Sequence, residues 1–464
     1  MSDLPPQNAS GELGDDNEGN PGMPTLADTG VENAATEAVA AEADTAPESS
    51  HSAGGASVDP NPASTRFSDA LRQILASSGL LTVLAVVISL VISGVLIAAT
   101  NLQVQTAAVY FFSRPSDTFI AIGQAVGGAY ASLFQGGVYD FTAPDFATGI
   151  MPLLSSLSFA TPLIAAGLGI AVAFRAGLFN IGGQGMVLIG GAAAGWIGIN
   201  WHLPFGIHLL VAVAFGLLGG GIWAFIVGIL KAKTGAHEVI VTIMLNYVAI
   251  YLIDYLLQTP VLQAPGSAQP KSADILSTAL LFPLFGPQYG VNFGFVLAIL
   301  ATIYCWWLLN RSSLGFKFRA IGENPKAARV AGMNVDRLFV YVLVISGALV
   351  GLAGAYQTLG QGGGGITDGF DAGIGFNAIT VALLGRSRPW GVFAAGILFG
   401  IVDAGGYAMQ AANNVDINIV TVLQAVVVLF IAAPPLVRAI FRLPAPGAKR
   451  KSGPRQIRKE AVAK

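Results

Sequence analysis

Long apolar runs alternate with short polar segments along most of the chain after residue 78. The first run, residues 79–99, contains no Asp, Glu, Lys or Arg. A helix crosses about 30 Å of hydrocarbon in roughly 20 residues, whereas a helix at the edge of a soluble core is apolar on one face only. The pattern therefore predicts an all-α, polytopic membrane protein with about ten transmembrane helices. The predicted helices span residues 79–99, 149–173, 181–200, 206–230, 238–258, 291–310, 338–359, 370–386, 390–409 and 418–438.

Two of these passages differ from the others. The third, 181–200, is short and begins at a Gly-rich turn, and the eighth, 370–386, is Gly-rich and carries Asp371. Broken or re-entrant elements are tolerated at membrane depth only where protein or a water-filled cavity surrounds them. Either passage could be an element of this kind.

The basic residues of the loops fall almost entirely on one side of the predicted membrane. If the N-terminus is cytoplasmic, the outside segments hold only Arg114 and Lys271. Cytoplasmic loops carry an excess of Lys and Arg. We therefore predict that the N- and C-termini are both cytoplasmic. An even number of helices agrees with this, because it places the two termini on the same side of the membrane.

The formal net charge of −2 averages two different regions. Residues 1–65 contain 12 Asp or Glu, no Lys or Arg, and no aromatic residue. Such a segment buries too little apolar surface to offset its ordering entropy, so we predict a disordered acidic N-terminal tail at 1–65. A transmembrane domain is expected at 66–442, followed by a basic cytoplasmic tail at 443–464.

No catalytic constellation is found in the sequence. His237 and Glu238 are not followed by a second His at metalloprotease spacing, and no GxxxxGK[ST] phosphate loop occurs. We predict that the chain is not an enzyme, and that it binds no cofactor or metal. A protein that moves a solute through the membrane fits this composition better.

Polar side chains inside the predicted helices are the candidates for chemistry. Charged groups at membrane depth cost about 2.5–3.5 kcal/mol on insertion scales, so they usually face a cavity or a partner. The alternative is that each makes an interhelical hydrogen bond that only fixes the packing. We take both interpretations forward for the candidate substrate-pathway residues Asn180, Gln184, Glu238, Asn246 and Asn377. The further polar residues at this depth are Asp254, Asp371 and Asp403, and packing is the favoured interpretation for Asp254 and Asp403.

The segment 311–337 is the longest polar stretch between two predicted passages. Asn324 is placed to cap a short helix, and Pro325 would occupy its first position. A short basic helix held between two passages could face anionic lipid, or it could be a docking element for a cytoplasmic partner.

Four blocks of sequence resemble one known family, the permeases of ABC importers for simple sugars, nucleosides and branched-chain amino acids. Residues 319–332, RAIGENPKAARVAG, look like the cytoplasmic coupling segment of these permeases. Residues 174–185, FRAGLFNIGGQG, resemble the family's signature. The blocks EVIVTIMLNY at 238–247 and FNAITVALLG at 376–385 also match, and the first of them, with FNIG, is most like nucleoside permeases.

The resemblance implies a membrane-spanning permease subunit that translocates nucleosides across a bacterial plasma membrane. It also implies a second permease subunit, a cytoplasmic ABC ATPase that binds and hydrolyses ATP, and an extracytoplasmic substrate-binding lipoprotein. No nucleic acid partner is implied. The ATPase would dock on the coupling segment 311–337, at Glu323, Asn324, Pro325, Ala327, Ala328 and Gly332.

Three other functions are possible. A simple sugar or branched-chain amino acid permease is the nearest alternative, because the candidate pathway residues do not discriminate these cargos. A secondary transporter would need a charge relay among its membrane acids and would work without ATPase partners. An intramembrane enzyme would need a paired acid–base or metal site at one depth, and the sequence shows none.

Overall fold

The computed structural model describes residues 78–360, 364–413, 415–432, 436, 440 and 441. The predicted tails at 1–65 and 443–464 lie outside this part of the chain. Within it, the regular structure is helical, and β-pairing is limited to isolated bridges such as the one between Gln263 and Ser272. The all-α prediction is confirmed.

Fifteen α-helices follow one another in the described residues. The first eight are α1 (Ser78–Thr100), α2 (Leu102–Val109), α3 (Pro115–Gly137), α4 (Phe146–Gly149), α5 (Met151–Arg175), α6 (Gly183–Asn200), α7 (Ile207–Thr234) and α8 (Glu238–Leu257). The others are α9 (Gly294–Arg311), α10 (Ser313–Glu323), α11 (Pro325–Val330), α12 (Val335–Gly360), α13 (Ile374–Leu384), α14 (Pro389–Asn413) and α15 (Ile417–Ala432).

The centre of the bundle consists of two sets of three helices. One set is α5, α6 and α7, and the other is α12, α13 and α14. The long helix that opens each set packs along the last helix of the other set, so that α5 lies against α14 and α12 lies against α7. Both pairs are antiparallel, since residue numbers fall along one helix as they rise along its partner. Ser156 meets Gly400 and Ile164 meets Gly396, while Gly216 meets Ala355 and Gly228 meets Val340.

Glycine brings the backbones of α6, α7 and α12 very close together. A Cβ atom added to Gly351 would lie 2.3 Å from the Gly216 carbonyl oxygen, and one added to Gly354 would lie 2.1 Å from the Val187 carbonyl oxygen. Small residues at such positions let membrane helices associate through van der Waals contact. The GxxxG motifs at 216–220 and 347–351 therefore mediate helix packing within one subunit.

Six described helices are long and apolar enough to cross a membrane by themselves. They are α7, α8, α9, α12, α14 and the continuous stretch Phe146–Arg175, which contains α4 and α5. A seventh candidate joins residues 86–100 to α2 with a bend of 67°. The number of ten transmembrane helices and the cytoplasmic location of both termini remain predictions.

The predicted third and eighth passages correspond to α6 and α13, and neither meets the same criteria. Helix α13 has 11 residues and is about 16 Å long, roughly half of the hydrocarbon thickness. It is nevertheless enclosed by protein, because Ala378, Val381 and Ala382 are all buried. This is the environment in which a broken element is tolerated.

The segment 100–148, which lies between the first two predicted helices, contains the 23-residue helix α3. Helix α3 packs along α14, where Gly137 approaches the Ile401 carbonyl oxygen and Asn413 donates to Ser132 at 2.7 Å. The frequent Gly and polar residues of α3 lower its hydropathy, and they hid it from the search for apolar runs.

Candidate functional site

The Gly-rich signature forms a non-helical segment, residues 176–182, that leads from α5 into α6. Asn180 is fully buried there, and its side chain accepts a hydrogen bond from the Gly182 backbone N–H at 2.9 Å. Its amide nitrogen donates to the Ser346 hydroxyl on α12 at 3.1 Å. Asn180 therefore fixes the segment to the neighbouring long helix.

Asn246 on α8 holds the start of α6 from the other side. Its side-chain oxygen accepts from the Gly185 N–H at 2.9 Å, and its amide donates to the Ile181 carbonyl at 3.0 Å. The first N–H groups of a helix have no partner within the helix, so a side chain from another helix can serve as their acceptor. Asn246 acts as such a remote cap.

Glu238, the first residue of α8, forms an ion pair with Lys231 of α7 at 2.5 Å. Both side chains are mostly buried, and the Lys231 ammonium also lies 5.2 Å from the centre of the Phe339 ring on α12. The backbone N–H of Phe179 lies next to the same carboxylate. The pair therefore ties the signature segment to the turn between α7 and α8.

The N-termini of α6 and α13 meet in the interior of the bundle. A Cβ atom on Gly183 would lie 2.5 Å from the Gly375 carbonyl oxygen, and one on Gly375 would lie 2.2 Å from the Gln184 backbone nitrogen. Only glycine permits this approach. The positive ends of two helix dipoles are thereby brought close together.

A cavity of about 190 Å³ lies beside the start of α13. Its aromatic walls are Phe159 and Tyr407, whose rings stack with centroids 5.5 Å apart. Its polar lining includes Asn377 and Asp403, and the Gln424 amide donates to the Asp403 carboxylate at 2.6 Å. Of the five predicted pathway residues, Asn377 lines this cavity.

Gln184 lines a second, smaller cavity of about 90 Å³ on the other side of the junction between α6 and α13. Three aspartates line it as well, namely Asp254, Asp368 and Asp371. The five predicted pathway residues therefore divide into two groups. Gln184 and Asn377 face cavities, whereas Asn180, Asn246 and Glu238 hold the segment that leads into α6.

The predicted coupling segment forms two short helices, α10 and α11, between α9 and α12. Asn324 caps α11, since its side chain accepts from the Ala327 N–H at 3.0 Å, and Pro325 occupies the first position as expected. Glu323, Asn324, Pro325 and Ala327 are exposed, and so is Gly332, whose positive φ of 80° suits glycine.

Ala328 differs from the other predicted docking residues, because it is buried in the main core together with Phe318 and Ile321. It packs α11 onto the bundle and offers no surface to a partner. Val330, at the end of α11, is 91% exposed although it is apolar. It was not among the docking residues predicted from the sequence.

Two parts of the candidate site were missed in the sequence. Phe159 and Tyr407 lie in apolar runs, where aromatic residues attract no notice, and Gln424 lies in the last predicted helix. Their common cavity becomes visible only when α5, α14 and α15 are packed together. Asp368 stands in a Gly-rich stretch, and its meeting with Asp254 depends on the tertiary fold.

The chain matches the family model described as "Branched-chain amino acid transport system / permease component" over residues 152–432. The matched region contains the signature segment, the junction of α6 with α13 and the coupling segment. The chain belongs to this permease family. It is an ABC transporter permease of the sugar and nucleoside group, as its sequence blocks indicated, and its relatives are transporter subunits rather than enzymes.

Three relatives show what this permease is similar to. The guanosine ABC transporter permease protein NupP of Bacillus subtilis is 38% identical over 61% of this chain and 81% of its own length. The glucose ABC transporter permease protein TsgB13 of Haloferax volcanii is 32% identical over 68% of this chain and 89% of its own. The nucleoside ABC transporter permease protein NupB of Lactococcus lactis is 32% identical over 62% and 80%.

No solved structure matches the chain. The family implies that this permease works with ATPase and substrate-binding partners. Its apolar helices and its relatives indicate a multi-pass membrane protein.

Proposed function

We propose that this permease moves nucleosides into a bacterial cell across the plasma membrane, with ATP hydrolysed by partner subunits. The observation that carries the proposal is its similarity to the guanosine and nucleoside permeases of Bacillus subtilis and Lactococcus lactis, at 38% and 32% identity. The glucose permease of Haloferax volcanii, at 32% identity, makes a simple sugar the second candidate.

The chemistry of the larger cavity suits a nucleoside. A nucleobase has an apolar ring face and a polar edge, and aromatic side chains stack on such faces. Phe159 and Tyr407 supply aromatic surface, while Asn377, Asp403 and Gln424 supply hydrogen-bonding groups in the same cavity. A cavity that combines apolar walls with convergent polar groups is typical of small-molecule sites.

The route through the subunit would pass the junction of α6 and α13. Transporters place substrate near the midplane, where discontinuous helices end. In this proposal Gln184 and Asn377 contact the cargo, whereas Asn180, Asn246 and Glu238 act by fixing the segment before α6. The hydrogen bonds of Asn180 and Asn246 to backbone groups support the second role.

The coupling segment would dock on the ATPase through the exposed residues of α11 and its flanks. Glu323, Asn324, Pro325, Ala327 and Gly332 remain accessible, and Val330 adds an apolar side chain that could enter a groove on the partner. Ala328 would act indirectly by holding α11 on the core.

The membrane arrangement proposed here has ten passages and cytoplasmic termini. It places Arg175, Lys231, the coupling segment and the turn at 385–388 on one side, together with most other bases of the loops. The hydrogen bond from Arg175 to the Ser387 carbonyl at 2.9 Å supports a common side for two of these segments. A second permease subunit and an extracytoplasmic binding lipoprotein would complete the importer.

Deletion of the gene followed by uptake assays tests the proposal. Labelled guanosine, adenosine and uridine are offered to wild-type and deleted cells, before and after collapse of the proton gradient at preserved ATP. Loss of an uptake that had survived the collapse supports an ATP-driven nucleoside permease. Nucleoside uptake that is unchanged by the deletion, together with lost glucose or ribose uptake, would assign the sugar function instead.

A further inference from the structure

The smaller cavity beside Gln184 is an unusual environment for a membrane protein, because its charged lining is acidic only. It lies between α6, α8 and the turn 364–373, and three of its lining residues are Asp254, Asp368 and Asp371. In the part of the chain that the structure describes, no Lys or Arg forms an ion pair with any of the three. Lys271, whose backbone pairs with Thr367, instead binds Asp274 at 3.5 Å.

Asp371 supplies a buried acceptor without a donor. The residue is only 4% exposed, and the Gly373 backbone N–H and the Gln184 side chain lie next to its carboxylate. Its Oδ2 atom has no partner among the described residues. An unpaired buried acceptor lowers the free energy of unfolding, so a native protein usually retains one for a functional reason.

The neighbouring carboxylates increase the demand for donors. Asp254 and Asp368 line the same small cavity as Asp371, which brings three carboxyl groups together. Ionised carboxylates only accept hydrogen bonds. The described residues form no metal-binding group of His, Cys, Asp or Glu. The cavity is therefore suited to a ligand that brings several N–H or O–H donors of its own.

An aromatic surface borders the same part of α8. Tyr247, Tyr251 and Tyr255 follow one another at a spacing of four residues on its exposed face. Residues at this spacing lie on one side of a helix, and Tyr255 is adjacent to Asp254 in sequence. Tyrosine rings stack on flat bases, while their hydroxyl groups need water or a polar partner rather than lipid.

We propose that this acidic cavity receives the N–H donor edge of a nucleobase, and that it selects bases that present two adjacent donors. A guanine-type base carries a ring N–H beside an exocyclic amino group, which matches adjacent carboxylate acceptors. Hypoxanthine, the base of inosine, keeps the ring N–H and lacks the amino group. This inference rests on the proposed nucleoside function and assigns a part of its selectivity to Asp371, Asp254 and Gln184.

The test compares guanosine and inosine uptake by cells that carry the complete importer with a single substitution. Asp371→Asn replaces the free acceptor by an amide of the same shape. We expect the KM for guanosine to rise about tenfold, and that for inosine by less than about threefold. Asp274→Asn is the matched control, because Asp274 is an exposed aspartate outside the cavity, and it should change neither value.

Membrane abundance of each variant is measured by immunoblot of washed membranes. If Asp371→Asn is not inserted, Asp254→Asn takes its place with the same expected shift. An equal rise of both KM values at normal abundance would overturn the inference and leave the nucleoside function intact. Wild-type cells that accumulate neither nucleoside would instead refute the proposed function, and the inference with it. Wild-type uptake that requires Na⁺, and that Asp371→Asn abolishes for both nucleosides, would mark a cation site and overturn the donor-edge proposal.

Discussion

Replacing Asn246 by alanine should destabilise the permease without weakening its affinity for cargo. The substitution removes the acceptor of the Gly185 N–H and the donor to the Ile181 carbonyl, at 2.9 and 3.0 Å. Both groups belong to the segment that starts α6, and Asn246 is buried. The side chain therefore acts on the entry to α6 and not on the cavities.

The size of the effect follows from the two backbone groups left without partners. A buried group that loses its partner costs about 1–3 kcal/mol in proteins generally. Hydrogen bonds between membrane helices contribute about 0.6 kcal/mol on average and at most about 1.7. For two bonds we expect a loss between about 1 and 4 kcal/mol in the free energy of unfolding.

The assay is the thermal stability of the detergent-purified importer, followed by loss of the monodisperse size-exclusion peak after heating. Asn310→Ala is the matched control, since Asn310 donates only to the Trp306 carbonyl on the exposed side of its own helix. We expect a lower midpoint temperature of thermal unfolding for Asn246→Ala but not for Asn310→Ala. The Asn246→Ala variant should also have a reduced maximal uptake rate and an unchanged KM. A variant as stable as the wild type with a raised KM would refute this reasoning and place Asn246 in contact with cargo.

Three further predictions concern coupling, packing and charge. Glu323→Lys should abolish ATP-driven uptake at normal membrane abundance, because it reverses an exposed charge beside the capped helix α11; normal uptake would contradict the docking role. Gly351→Ala should reduce the amount of folded permease, since its Cβ would lie 2.3 Å from the Gly216 carbonyl oxygen, whereas Gly127→Ala, in open space, should not; immunoblots of membranes decide this. Lys231→Ala should lower thermal stability by more than the double substitution with Glu238→Ala, because the single change leaves a mostly buried carboxylate unpaired; equal losses would show that the unpaired carboxylate carries no penalty.

Long apolar runs were sufficient to predict the long helices of the bundle. Helices α7, α9, α12 and α14 lie where the sequence placed them, because some twenty apolar residues permit no other stable structure in a membrane. Caps are local as well, so Asn324 and Pro325 could be assigned to the start of α11 from sequence alone.

Features that depend on contacts between distant segments were not predictable in this way. Helix α3 is Gly-rich and only partly apolar, and its place follows from close contact with α14. Asn246 lies 61 residues along the chain from Gly185, whose N–H donates to it, so nothing in the adjacent sequence identifies Asn246 as a cap. The meeting of Gly183 with Gly375 is likewise visible only in three dimensions.

The glycine contacts of α12 have a mechanical consequence. Helix α12 begins at Val335, within the last residues of the coupling segment, and ends at Gly360, beyond Gln357 in the larger cavity. Its 26 residues form a rod of about 39 Å, and a tilt of about 5° at one end would displace the other by roughly 3 Å. Because its contacts with α6 and α7 are backbone against backbone, few flexible side chains lie between them to absorb such a displacement. Helices α6, α7 and α12 can therefore move as one rigid unit, which would transmit a displacement of α11 to the cavity wall.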